Sequence, residues 1–167
     1  DKSTVHYTWA ATYKDSTLAD TTFRVDMTFE KGRSVAPHPF GTTPDIANYY
    51  LGAVVAEEVK AYHRVIYNSV WDSIDVHFHH GSSGPRMSFV IRPGGAPEDI
   101  DLRFNGQDSL KVDWQGRLEV WLKNKWIKFE GAVAYQVGTF GNITPVSWTA
   151  TYEHAEGSAH VKFQLGN

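Results

Sequence analysis

Three histidines stand close together in the segment "DSIDVHFHHGSSGPR" (72–86), and imidazole nitrogens are common ligands of zinc. On a strand, successive side chains alternate between faces, so His77 and His79 share one face with Asp75. Two residues with this spacing can both reach one metal ion, whereas Asp75 and His79 lie about 13 Å apart along the backbone. The histidine pair therefore indicates a metal-dependent hydrolase only if a third ligand comes from another part of the fold.

The strand that follows the histidines decides whether they have a third ligand nearby. The loop "GSSGPR" (81–86) predicts a hairpin with "MSFVIR" (87–92), in the register that matches apolar residues in every row of the core face. The predicted pairs are Val76 with Ile91 and Phe78 with Phe89 on the core face, and Asp75 with Arg92, His77 with Val90 and His79 with Ser88 on the outer face. Asp75 and Arg92 then form a surface ion pair. No carboxylate or imidazole faces the histidine pair in this hairpin, so solvated histidines are favoured over a metal site, and no cofactor is predicted.

A second predicted hairpin combines tryptophan with lysine. The segment "RLEVWLKNKWIKFEG" (117–131) contains two strands that we predict to be joined by a tight turn at Asn124 and Lys125, because asparagine tolerates positive φ. The predicted pairs are Leu122 with Ile127 and Val120 with Phe129 on the core face, and Trp121 with Lys128 and Lys123 with Trp126 on the outer face. Exposed tryptophan on a flat sheet face can stack on sugar rings, while aromatic and lysine pairs that only stabilise the face are the alternative. The candidate carbohydrate site consists of Trp121, Trp126, Lys123 and Lys128.

Acidic residues cluster at "PEDIDLRF" (97–104), where Asp99 and Asp101 share a predicted strand face. Most glycosidases use such a pair of carboxylates. The two aspartates flank the core residue Ile100 and precede a turn-rich stretch, so we expect them to solubilise a sheet edge and to cap turns. The sequence contains neither a G-x-S-x-G nucleophile elbow nor a phosphate-binding loop. No catalytic residues are predicted, and the protein is not expected to be an enzyme.

The composition argues against several functional classes. The chain has no cysteine, which excludes disulfides, thiol nucleophiles and cysteine-based zinc sites. A net charge of −3 gives no basic footprint for nucleic acid, and no apolar stretch approaches the roughly 20 residues of a membrane-spanning helix. We therefore expect no nucleic-acid partner and no membrane insertion. Its length predicts a single domain over 1–167, and its start without methionine predicts a mature or excised fragment of a larger protein.

Short alternating segments separated by turn residues recur along most of the chain, and 6 Trp and 8 Tyr add to its strand-forming residues. This pattern is typical of an all-β domain rather than of βαβ units. We predict an antiparallel two-sheet β-sandwich of roughly ten to twelve strands. At most a short helical turn is expected near 43–52, since Gly52 and the β-branched Val54 and Val55 oppose a longer helix. The stretch "RSVAPHPFGTTPD" (33–45) is predicted to be a long irregular connection.

Several motifs follow one another in a characteristic order along the chain. They are "NYYLG" (48–52), "VKAYHRVIYNSVWDSIDVHF" (59–78), "MSFVIRPGGAPEDIDLRFNG" (87–106), "LKVDWQGRLEV" (110–120), "AYQV" (134–137) and "VKFQLG" (161–166). Through them the chain resembles, over about 23–165, a domain of unknown function found near the N-terminus of large bacterial surface proteins, especially in Bacteroidota. Those proteins often carry SBBP repeats, PKD-like domains and a gliding-motility or type IX secretion sorting domain. The family usually has apolar or tyrosyl residues where this chain has "VHFHH" (76–80), so the resemblance implies no metal role for the histidines.

The resemblance implies a secreted or cell-surface protein in which this domain is a structural or interaction module. We therefore predict a non-catalytic module of an adhesin-like protein. Its expected partners are a protein or glycan at the cell surface and the rest of a multidomain chain. Two alternatives remain open: a carbohydrate-binding module that uses the exposed tryptophans, and a metal-dependent hydrolase built around His77 and His79.

Overall fold

The computed structural model describes residues 3–11, 21–51, 54–81, 84–114, 117–130, 132–155 and 157–166. Over these residues the chain forms fourteen strands and one short 3₁₀ helix (Pro97–Asp99). The strands are β1 (Thr4–Ala11), β2 (Thr21–Phe29), β3 (His38–Leu51), β4 (Val54–Trp71), β5 (Ile74–Gly81), β6 (Gly84–Ile91), β7 (Asp101–Asn105), β8 (Ser109–Val112), β9 (Leu118–Leu122), β10 (Lys125–Lys128), β11 (Ala134–Val137), β12 (Ile143–Val146), β13 (Trp148–Ala155) and β14 (Ser158–Leu165). Within the described ranges, no helix is long and apolar enough to cross a membrane.

The strands form two packed layers. The first layer is a five-stranded antiparallel sheet in the order β1-β2-β7-β14-β13. The second layer contains the four-stranded sheet β3-β4-β5-β6 and the three-stranded sheet β10-β9-β8, which meet where the backbone N–H of Glu130 donates to the carbonyl of Pro85 at 3.2 Å. Strands β11 and β12 form a separate hairpin. The predicted all-β antiparallel sandwich is confirmed, and the described residues contain more strands than the roughly ten to twelve expected.

Alternation along each strand decides which face enters the core. In β2, Val25, Met27 and Phe29 are buried, while the residues between them face outward. Leu102 and Phe104 of β7 follow the same pattern. The outer face of the first sheet is correspondingly polar, and one row across it reads Thr4, Thr28, Arg103, His160 and Glu153. Each strand of a sandwich needs this alternation of apolar and polar side chains, because only one face of the strand enters the core.

Aromatic side chains join the two layers. The ring of Phe29, from the first layer, meets the rings of Tyr67 and Trp71 from β4 edge-on, with centroids 5.3 and 5.8 Å away. The indole N–H of Trp71 donates to the backbone carbonyl of Glu30 at 3.0 Å, so this buried tryptophan leaves no polar atom unpaired. Phe129 contacts Phe104 across the layers at 6.4 Å between ring centroids. These contacts place one continuous core between the layers.

The segment expected to be irregular or to form a short helical turn is a strand. Only 33–37 is irregular, and β3 runs from His38 to Leu51 paired with β4, with register shifts between Thr42 and Ile46 and between Ala47 and Tyr49. Pro44 is compatible with this pairing because β3 lies at the edge of its sheet, where a missing N–H does not break the ladder on both sides. Pairing with β4 overrides the local turn signals because it satisfies the backbone of the whole segment.

Asp75 on β5 is a buried carboxylate that holds an irregular part of β4. Its side chain is 6% exposed, accepts a hydrogen bond from the backbone N–H of Ser69 at 2.7 Å, and pairs with Arg92. Ser69 has a φ of 51°, and the β4–β5 register shifts between Tyr67 and Trp71. The predicted ion pair with Arg92 is therefore present, but Asp75 is buried rather than at the surface. A buried carboxylate needs both partners, because it has given up its hydration.

We expect Asp75→Ala to lower the free energy of unfolding by about 3 kcal/mol, because it removes the acceptor of the Ser69 N–H and a buried ion-pair partner. Asp72→Ala is the matched control, since Asp72 pairs with Arg33 at an exposed position. Its effect should stay below about 0.5 kcal/mol. Urea denaturation of both variants measures the difference, and equal losses would show that Asp75 has no special structural role.

Candidate functional site

The histidine hairpin forms as predicted but in a different register. The observed pairs are Ile74 with Ile91, Asp75 with Val90, Val76 with Phe89, His77 with Ser88, Phe78 with Met87 and His79 with Arg86. The predicted register is therefore wrong by two residues, because the ladder continues to the pair of Gly81 and Gly84 instead of ending earlier at a longer loop. A shift of two keeps every side chain on its predicted face. His77 and His79 accordingly share the outer face, with ring centroids 6.1 Å apart.

The outer face around the histidines is basic. His79 lies between Arg64 on β4 and Arg86 on β6, and His77 lies between Ile66 and Ser88. We call Arg64, His77, His79 and Arg86 the basic patch. Burial lowers the pKa of His77, with a further contribution from Arg64. Burial also lowers the pKa of His79, with contributions from His77, Arg64 and Arg86. Both imidazoles are therefore mainly neutral at pH 7, and each retains one N–H donor.

The surroundings of the histidine pair do not favour a metal ion. Among the described residues, no group of three or more His, Cys, Asp or Glu side chains could hold one. The nearest charged neighbours of His79 across the ladders are the guanidinium groups of Arg64 and Arg86, which repel a cation. Nothing is described of the side chain of His80. The geometry around His77 and His79 therefore lends no support to the metal-dependent hydrolase.

The tryptophan hairpin also differs from its predicted register by two residues. Its observed pairs are Leu122 with Lys125, Trp121 with Trp126, Val120 with Ile127 and Glu119 with Lys128. The turn lies at Lys123 and Asn124, and the residue with positive φ, 54°, is Lys123. The carboxylate of Asp108 accepts a hydrogen bond from the backbone N–H of Lys123, and the N–H of Asp108 donates to the carbonyl of Trp121 at 2.7 Å. This contact with the preceding loop fixes the turn one residue earlier than predicted.

The changed register brings the two tryptophans together. The rings of Trp121 and Trp126 stack at 5.1 Å between centroids with 30° between their planes, and we call this pair the tryptophan stack. The ammonium of Lys111 lies 5.6 Å from the centroid of Trp121. The predicted pairs of Trp121 with Lys128 and of Trp126 with Lys123 are thus wrong. Trp121 is partly buried, whereas Trp126 is 52% exposed and is the ring that a ligand can reach.

Lys128 takes part in an ion-pair cluster beside the tryptophan stack. Its ammonium lies 2.5 Å from a carboxylate oxygen of Glu119 and 3.3 Å from one of Asp113, and Lys123 lies 4.0 Å from Asp108. The indole N–H of Trp121 donates to Glu119 at 3.3 Å. The hydrogen bond from Lys128 lowers the pKa of Glu119, and the same bond raises the pKa of Lys128. The two lysines predicted to contact a sugar are therefore committed to carboxylates in this structure.

The two aspartates at the start of β7 do not form a glycosidase pair. Asp99 ends the 3₁₀ helix, so it does not share a strand face with Asp101, which was the expectation. The carboxylate of Asp101 accepts a hydrogen bond from Nδ1–H of His160 at 2.8 Å. Both aspartates line a shallow groove of about 400 Å³ together with Lys31, Arg33, Val70, Trp71, Asp72, Glu98 and Lys162. Asp101 begins β7, which is the central strand of the first sheet rather than the sheet edge that was expected.

Two hairpins expose apolar side chains. Strand β4 pairs with β5 only from Arg64 onward. The described residues between 42 and 62, which belong to β3 and β4, therefore pair only with each other. We call them the distal hairpin. They include exposed Tyr50 and Val55, which are opposite each other, and also Ile46, Tyr49, Val59 and Tyr62. The β11–β12 hairpin exposes Tyr135, Val137 and Ile143. Contiguous exposed apolar patches are typical of surfaces that contact other molecules.

The sequence did not identify Arg64 or the distal hairpin as candidate functional features. Arg64 is isolated in "YHRVIY" (62–67), and only the pairing of β4 with β5 places it beside His79. Alternation offers one signal, since Val65 and Tyr67 pack on the core and Arg64 must therefore face outward. The distal hairpin had no such signal, because its alternating apolar residues are equally compatible with a buried strand.

The fold and these surfaces define an all-β sandwich domain whose candidate ligand-binding groups lie on open sheet faces and on projecting hairpins. The chain belongs to the family described as domain of unknown function DUF7948, whose sequence model matches residues 2–167. No curated protein and no solved structure matches the chain.

We expect Lys128→Met to raise the pKa of Glu119 toward the ordinary carboxyl range, because the ammonium that stabilises the charged carboxylate is lost. In the unmodified protein, this ion pair stabilises the folded state at pH values above the unfolded-state pKa of Glu119. That stabilisation is lost as the pH falls through the lowered folded-state pKa. Lys128→Met should therefore flatten the acid dependence of stability. NMR titration of the Glu119 carboxyl carbon measures the pKa. Lys125→Met is the control on the same strand, and an equal shift in it would refute the assignment.

Proposed function

We propose that this domain is a non-catalytic interaction module of a larger secreted or cell-surface, adhesin-like protein, and that the distal hairpin is its contact surface for another protein surface. The observation that carries this proposal is the exposure of apolar residues at the distal hairpin, where Tyr50 is 63% and Val55 is 61% exposed. Tyrosine and branched aliphatic residues suit the buried centre of a protein interface. A sugar would instead require polar groups around an aromatic platform.

The length of the distal hairpin supports the same proposal. Residues 54–63 of β4 extend about 30 Å beyond the last pair with β5. Two-stranded hairpins are only marginally stable in water on their own, and this one leaves apolar side chains in solvent. Burial of that area against a second surface would recover about 25 cal/mol for each Å². Contact with another surface is therefore the arrangement in which this hairpin is most stable.

Membership of the family is the reason to place the module in a large surface protein. The order of motifs resembles domains near the N-terminus of Bacteroidota surface proteins with SBBP repeats, PKD-like domains and a type IX secretion sorting domain. In such a chain, the distal hairpin contacts either a neighbouring domain or a separate protein at the cell surface. In either case the distal hairpin contacts the surface of a folded protein.

A photo-crosslinking amino acid at position 55 of the full-length protein tests the proposal in cells. We expect a covalent adduct to one recurring peptide, because Val55 faces the proposed interface. The matched control carries the same group at Thr8, which is exposed on the polar outer face of the first sheet. Peptide mapping distinguishes a neighbouring domain from a separate protein. Equal adduct formation at positions 55 and 8 would overturn the proposal.

We propose carbohydrate binding as a second candidate function, carried by the tryptophan stack. Trp126 presents an exposed ring on an open sheet face, next to the ion pair of Lys128 with Glu119 on the same outer face. One face of the ring is used by Trp121, so the site offers a single aromatic platform. Trp121 is a supporting ring rather than a second platform.

We expect Trp126→Ala to weaken polysaccharide binding by about tenfold or more, because it removes the principal contact of the proposed site. Calorimetry against a panel of neutral polysaccharides measures the affinity. Trp114→Ala is the matched control, since Trp114 is 89% exposed and lies outside the stack. Equal weakening by both variants, or the absence of any bound polysaccharide, would exclude the tryptophan stack as a carbohydrate site.

A further inference from the structure

The basic patch contains an arginine, Arg64, that no carboxylate among the described residues neutralises. Arg86 is paired with Glu130, with 2.6 Å between Nε and the carboxylate. Arg64, in contrast, makes no ion pair within the described part of the chain, and its buried Nε has no hydrogen-bond partner there. Its guanidinium carbon lies 4.6 Å from the ring centroid of Phe40, which holds the group in place by a cation–π contact. A fixed and unpaired guanidinium is a prepared contact for an anion.

Further donors lie on the same outer face as Arg64. His79 is directly opposite Arg64 across the β4–β5 ladder, and His77 follows on the same face with its ring 6.1 Å from that of His79. Ser88 adds a hydroxyl opposite His77. Donors with this spacing can each reach, at about 2.8 Å, a different oxygen of one tetrahedral anion. Neutral imidazoles serve this purpose, since each carries one N–H.

We propose that Arg64, His77 and His79 form a binding site for a sulfate ester of a polysaccharide. A sulfate ester carries one negative charge, which matches the one unpaired guanidinium of the patch. The carboxylates near the patch are committed elsewhere, Glu130 to Arg86 and Asp75 to Arg92 and the Ser69 N–H, so they do not oppose an anion directly. The exposed ring of Phe40 beside Arg64 offers an apolar face to the sugar that bears the ester.

This site is separate from both surfaces of the proposed function. It lies on the outer face of β4, β5 and β6, whereas the tryptophan stack lies on β9 and β10, and Val55 lies on the distal hairpin. The net charge of −3 opposes unspecific attachment of an anionic polymer to the whole chain. Binding of a sulfated polymer must therefore come from a local cluster of donors, and the basic patch is such a cluster.

Binding of dextran sulfate and of unsulfated dextran to the intact chain tests the site. We expect saturable binding of dextran sulfate, measured by calorimetry at pH 7 and constant ionic strength, with NMR shifts at the backbone amides of Arg64, His77 and His79. Unsulfated dextran should give neither signal. Equal binding of both polymers, or tighter binding of polyphosphate than of dextran sulfate, would overturn the proposed ligand class.

Variants separate the site from general electrostatic attraction. Arg64→Gln should weaken dextran sulfate binding by about tenfold or more, and His79→Gln by about threefold, since they remove a charged and a neutral donor respectively. The matched controls are Arg33→Gln and His6→Gln, whose side chains already pair with Asp72 and Asp26. They should stay within about twofold of the unmodified protein. If Arg64→Gln does not fold, His79→Gln tests the site instead. If His79→Gln binds dextran sulfate as tightly as His6→Gln does, the proposed site is wrong.

Discussion

The contact between Phe29 and the end of β4 is the interaction on which the arrangement of the sandwich depends. Phe29 is fully buried between the layers and meets the ring of Trp71 edge-on, while the indole N–H of Trp71 reaches the carbonyl of Glu30. This pair fixes one end of an 18-residue strand against the first sheet. Because β4 is anchored at that end, its remaining length runs past the last pair with β5 and continues as the distal hairpin.

The same anchored end also determines how the basic patch is built. The β4–β5 register shifts between Tyr67 and Trp71, and the buried carboxylate of Asp75 satisfies the backbone of Ser69 within that irregular stretch. Beyond it the ladder is regular up to the pair of Arg64 with His79. The position of Arg64 beside the imidazoles thus follows from a buried ion pair at the opposite end of β5. Strand β5 therefore carries both a buried ion pair that holds the fold and the histidines of the basic patch.

Alternation predicted the faces of both hairpins, whereas their registers required information that is not local. The side chains of His77, Phe78 and His79 lie on the faces expected from their positions, because a slip of two residues preserves the faces. The register depends on where the turn falls, and in the tryptophan hairpin it is set by Asp108, which holds the backbone of Lys123 at positive φ. A turn rule based on Asn124 could not anticipate that contact. The consequence was chemical, because the true register stacks the two tryptophans instead of pairing them with lysines.

Candidate groups on open sheet faces leave a weaker trace in sequence than an enclosed site does. Arg64, His77 and His79 come from two strands and become neighbours only through pairing. No spacing rule joins Arg64 to His79, since a motif records residues that one element or loop brings together. His77 and His79 lie two residues apart on one strand, a spacing that, taken alone, suits a metal ion. Their neighbours change the expected charge of the ligand, since two guanidinium groups beside His79 favour an anion over a cation.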